Sequence, residues 1–248
     1  RLGVGELSMD AALEIHDYLP MSYPSASEGE YIRFVWEVFE SNYVAGKYQF
    51  AMLAFHMLYM SYVYFSVWQI KQAQPGDFVK SIIFMKKEEE TGLLKASSPF
   101  SFSEINERTI FKFLRLAGCE NQHIGKFQKL VDQRNEIAHS NGNIFFSDQT
   151  TADQRIEDVM QQVRSIQAHL SIVLHISPRQ FLRDSANPDE QVSADSEVHG
   201  ERNFLHKHYL SRKDILACIG CDLSEFDGNP LSSEVQALMQ VLKAKVEE

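Results

Sequence analysis

The chain has 248 residues, with 24 Lys and Arg against 34 Asp and Glu, for a formal net charge of −10. That length supplies one good core, or a core with a smaller addition. The acidic balance excludes a non-specific nucleic-acid coat, which needs a basic face to release counterions, but allows a small basic site on an acidic body. Three cysteines, Cys119, Cys218 and Cys221, suit a reducing compartment better than a secreted disulfide scaffold, so a cytoplasmic location is expected. The chain begins at Arg1 and reads as a trimmed or internal piece, and nothing at its start resembles a signal peptide.

Residues 1–27 read as an N-terminal extension. "SMDAALEIHDYL" predicts a short helix with Ser8 as its cap, and "PMSYPSAS" breaks regular structure. A long helical block follows. "EGEYIRFVWEVFESNYVAGKY" places Tyr31, Phe34, Val35, Val38 and Phe39 on one stripe at three-four spacing, with Gly46 as a break. The run "FAMLAFHMLYMSYVYFSVW", Phe50 to Trp68, approaches the length of a membrane span. Its three tyrosines, two serines and His56 lie inside the run rather than at its rims, which favours a helix buried on all sides. "QPGD" ends it.

"FVKSIIFMKKEEETG" predicts a short helix with a charged face at Lys86–Glu90. In "ASSPFSFSEINERTIFKFLRLAG", Ser103 is the expected cap and Gly118 the expected stop. A further helix is expected from Glu120 to Ser140, with Ile124, Phe127, Leu130, Val131, Ile137 and Ala138 as its apolar positions and Gly142 free to turn left-handed. "ADQRIEDVMQQVRSIQAHLSIVLHI" is a long helix that Pro178 is expected to stop. Residues 178–202 read as an acidic polar linker. Residues 203–248 carry two more helical patterns, Ser211–Gly220 and Ser232–Val246. The expected fold is all-α: a bundle of four to five helices over 28–177 with a small C-terminal helical appendage.

Chemistry concentrates in "VDQRNEIAHSNGN". On a regular helix Asn135 and His139 are four apart and share a face, and the long side chain of Arg134 can swing to the same side. Imidazole can move a proton from a ribose 2′-hydroxyl or to a leaving 5′-oxygen. Guanidinium can hold the phosphate bidentately as charge builds. An ordinary polar helix end offers the same residue types. Cys218 and Cys221, with His206 and His208 upstream, match no common zinc spacing and read as a buried cysteine with an incidental partner. No phosphate loop, dinucleotide-binding turn, HExxH or GxSxG occurs, so no cofactor or metal is expected.

"RNEIAH" resembles the R-x4-H signature of HEPN domains, and its place late in an all-α chain, over roughly Glu28 to Ser177, fits that family. The resemblance implies a metal-independent endoribonuclease in which the RNA's own 2′-hydroxyl attacks, leaving a cyclic phosphate. It also implies a homodimer in which Arg and His of two protomers face each other across one cleft. Carried over, Arg134 stabilises the phosphate, His139 is the acid or base, and Asn135 orients them. A polar residue on an early helix often supports the motif; Glu37, Glu40 and His56 are the candidates here, although His56 also reads as a hydrogen-bonded core histidine. Such domains act in phage defence and toxin–antitoxin systems, so an RNA substrate and an antitoxin or regulatory protein are the expected partners, with no membrane. Some such toxins are silenced at a tyrosine two residues after the histidine; Asn141 stands there, so that control is not expected. The rival expectation is a non-catalytic helical interaction domain within a larger defence or signalling assembly.

Overall fold

The longest apolar helix sits at the centre. The computed structural model describes residues 4–139, 142–185, 201–228 and 230–247. Among these, helices α1 (Val4–Leu13), α2 (Ala26–Val44) and α3 (Tyr48–Ala73) come first. They are followed by α4 (Pro75–Ile82), α5 (Lys87–Lys95), α6 (Glu107–Ile110), α7 (Asn121–Ala138) and α8 (Gln149–Ser185). Helices α9 (Arg212–Ile219) and α10 (Ser232–Glu247) end the chain. Tight 3₁₀ turns at Glu14–Tyr18, Pro99–Glu104 and Phe111–Ala117, and a π turn at Glu201–His206, join them. No strand forms among the described residues, and the class is all-α.

Helix α3 packs against α2 and α8 and meets α7 and the turn at Phe111–Ala117. It is buried on all sides from Leu58 to Ile70. This explains how a helix apolar enough to span a membrane serves instead as a core, since most of that stretch is covered by protein. Each fully buried Leu, Phe or Val there contributes roughly 1.5–3 kcal/mol relative to exposure.

Several local expectations shift. On α2 the buried stripe is Ile32, Val35, Phe39 and Tyr43, while Phe34 is 61% exposed. The sequence offers two overlapping apolar stripes one position apart, and contact with α3 selects one. Gly46, at φ 69°, makes the left-handed turn into α3. Ser103 lies inside a 3₁₀ turn and caps nothing: Ser98 accepts from Phe100 N at 3.2 Å, and Asn106 caps α6 by accepting from Arg108 N at 3.0 Å. Ser8 lies inside α1, four residues past its start.

Pro178 does not stop α8. It is buried within the helix, which runs on to Ser185. Proline cannot donate to the carbonyl four residues back, that of Leu174. The Cys218 thiol donates to it instead, at 3.5 Å, and Cys221 Sγ lies 3.4 Å from His175 O. Burial pushes both thiols up, well up for Cys218, so they remain protonated donors. The CxxC spacing thus puts two thiols against the proline break. The rest of the expected linker, 186–200, lies outside the described residues.

The terminal segments join the core. Glu14 accepts two bonds from Arg164 on α8, and Ala12, Ile15 and Leu19 are buried. Phe204, Tyr209, Leu210 and Ile215 are buried too, with Trp68 Nε1 donating to Lys207 O at 2.8 Å. Residues 203–219 thus pack on the bundle: α9 lies against α8, and Tyr209 stacks on Phe65 of α3 at 5.5 Å. Of the C-terminal elements, α10 is the peripheral one, packed on α9.

Candidate functional site

The motif lies at the end of α7. Ile124, Phe127, Leu130, Val131 and Ile137 bury one side of that helix, which leaves Arg134 on its edge. The Arg134 guanidinium donates to Glu107 Oε1. Glu107 is the first residue of α6 and is aimed by the Asn106 cap. Its other oxygen, Oε2, lies 3.3 Å from His56 Nε2 on α3. Three helices therefore converge on one carboxylate.

Burial pushes the Glu107 carboxyl up, but hydrogen bonds from His56 and Arg134 outweigh it and hold it at about 2. Burial lowers the pKa of His56 against the pull of Glu107. A neutral His56 facing an ionised carboxylate must carry its proton on Nε2, so Nδ1 is a bare acceptor. Among the described residues that Nδ1 is buried without a hydrogen-bond partner, as is Arg134 Nε.

Two cavities of about 660 Å³ each adjoin this network. The first is mostly apolar, lined by Tyr31, Leu53, Met60, Tyr64 and Phe100 with His56, Glu107 and Arg134. The second is polar, lined by Glu89, Glu104, Asn106, Arg108 and Asn135. Ser103, Glu107 and Arg134 line both and form the shared wall.

His139 stands apart. The helix ends at Ala138, and His139 leaves it in extended geometry (φ −82°, ψ 139°), although its N–H still donates to Asn135 O at 3.2 Å. The helical turn from Asn135 therefore carries through to His139, which is the last residue it positions. The chain turns away to reach α8, held where Phe145 N donates to Gln49 Oε1 at 2.9 Å. His139 is exposed and lines neither cavity. Gly142 takes the expected left-handed conformation, φ 78°. Ser140 and Asn141 lie outside the described residues.

Of the early-helix candidates, His56 is the one brought to Arg134, through Glu107. Glu37 and Glu40 are exposed on α2 and line a separate cavity with His16 and Trp36. Glu107 was not singled out by the sequence. Its one local signal is the Asn cap before it, and its link to Arg134 spans 27 positions.

Among the described residues, no group of three or more His, Cys, Asp or Glu comes within range to hold a metal ion. His208 is buried, and burial pulls its pKa down to about 3. Comparison of the chain with protein-family models, curated proteins and solved structures found no match.

Proposed function

We propose that the chain is a HEPN-type endoribonuclease that acts as a homodimer. The observation that carries this reading is a division between one held group and one free group in a single motif: Arg134 is fixed by Glu107 at the wall of two cavities, and the exposed His139 follows just past the helix end. A clamped guanidinium is preorganised for phosphate, while an exposed imidazole can reach a second molecule. An apolar rim beside the motif supports a second copy as that molecule. Phe50 and Met57 are 59% and 44% exposed on α3, and Ile144 and Phe145 are exposed beyond α7.

In the proposed reaction the 2′-oxygen bonds to phosphorus and the bond to the 5′-oxygen breaks. His139 of one protomer takes the 2′-hydroxyl proton, and its counterpart protonates the leaving oxygen. Arg134 offsets the charge on the phosphoryl oxygens, and Asn135 orients the phosphate. The products are a 2′,3′-cyclic phosphate and a 5′-hydroxyl, with no water consumed. A role in phage defence or a toxin–antitoxin system, with activity held back by a regulatory protein, is part of the same proposal. The purified protein is expected to cut RNA in EDTA and His139→Ala is not; equal rates for the two sink the reading.

A non-catalytic interaction domain is the second reading. The Arg134–Glu107–His56 network favours it, because that network would tie three helices together with or without catalysis. An inactive wild-type protein whose Glu107→Gln variant loses only stability is its signature.

A further inference from the structure

We infer that the apolar cavity beside Arg134 is a pocket for one unstacked nucleobase of the RNA, next to the phosphate that is cut. The inference rests on the nuclease reading and adds to it a substrate contact that sets base preference.

Shape and lining come first. The cavity, about 660 Å³, lies within the roughly 300–1,000 Å³ of small-molecule sites. Its walls are apolar and aromatic, with the Tyr31 and Phe100 rings edge to face at 5.3 Å. Single-stranded RNA is read in such places, with splayed bases packed on aromatic side chains and hydrogen-bonded along their edges.

Charge narrows the choice. The lining carries two carboxylates, Glu28 and Glu107, against one guanidinium, Arg134. That balance disfavours an anion inside and suits a neutral flat ring. The sugar-phosphate stays at the mouth, where Arg134 also faces the second cavity.

Two unmatched polar atoms belong to side chains that line the cavity. His56 is 4% exposed and lines the cavity, and among the described residues its Nδ1 has no donor. Arg134 Nε is a buried donor with no acceptor among them. Buried polar groups are nearly always paired, so an acceptor and a donor left open beside one cavity ask for a ligand with the converse pair. A nucleobase edge carries a donor next to an acceptor.

Cleavage-site sequencing of an RNA pool, paired with titration of the four nucleoside 3′-monophosphates, tests the pocket in the full chain. Wild type is expected to show one flanking position with a base preference of about tenfold or more, and saturable binding of the matching nucleotide. Leu53→Trp, which fills the cavity, is expected to flatten that preference and abolish nucleotide binding. Ser103→Trp, at an exposed position on the wall, repeats the block if Leu53→Trp fails to fold. Cleavage without preference, or preference surviving both variants, overturns the pocket and leaves the nuclease reading standing. If wild type does not cut, nucleotide binding that is lost in the filled variants keeps the pocket and sinks the nuclease reading. Neither cutting nor binding overturns both.

Discussion

Two buried polar junctions hold α3 in place, and they differ in what lies beside them. Near its C-terminal end, Asp214 accepts from Gln69 Nε2 at 2.9 Å, Gln167 Nε2 at 2.7 Å and Ser211 N at 2.9 Å, so both carboxylate oxygens are occupied. Near the N-terminal third of α3, Glu107 is likewise occupied on both oxygens. Each junction keeps unmatched polar atoms among the described residues, Gln69 Oε1 in the first and His56 Nδ1 and Arg134 Nε in the second, but those of the second belong to side chains that line a cavity.

The largest expected effect breaks chemistry without touching either junction. His139→Ala removes an exposed side chain, so the melting temperature stays within a degree or two while RNA cleavage falls by about 10²-fold or more. A His139→Ala protein that unfolds would place the residue in the fold instead.

The Asp214 junction is expected to cost the most stability. Asp214→Ala removes the capping box with Ser211 and leaves the buried amide of Gln69 and the half-buried amide of Gln167 without their acceptor. A loss of about 2–4 kcal/mol in urea denaturation is expected. A loss under half a kcal/mol would show that the joint is held by packing alone.

The Glu107 junction is expected to report through pH. The Glu107 carboxyl is held at about 2 against an ordinary 4.5. Its contribution is fully present above pH 4.5 and is lost as pH falls toward 2. The gap in urea midpoint between wild type and Glu107→Gln should therefore close across that window. His56 and His208 act in the same direction from a higher starting point. Burial depresses both, so the stability they confer is full above about pH 6.5 and falls with acidification.

The smallest expected effect concerns the proline break. Pro178→Ala returns an N–H that competes for Leu174 O. Cys218→Ala should then cost less in the Pro178→Ala background than in wild type, by a few tenths of a kcal/mol in a double-mutant cycle. Equal costs would separate the thiol from the break.

Most elements were legible because helical periodicity and caps act over a few residues. The buried character of α3 followed from tyrosines lying inside the run, the Gly46 and Gly118 stops from the residue type, and α9 from its helical pattern. The failures share a cause. Which of two stripes on α2 faces inward and whether Pro178 ends α8 are set by neighbours distant in sequence.

The candidate site divides the same way. The sequence by itself determined that Arg134, Asn135 and His139 lie at one helix end, since spacing along a helix is a local property. Only the tertiary structure decided that Arg134 is clamped by Glu107, that His56 rather than Glu37 or Glu40 completes the network, and that His139 leaves the helix. A hydrogen bond across 27 or 51 positions leaves no periodic trace. It exists because packing α3, α6 and α7 brings three side chains to one point, where an ionised carboxylate must be satisfied or pay the full cost of burial.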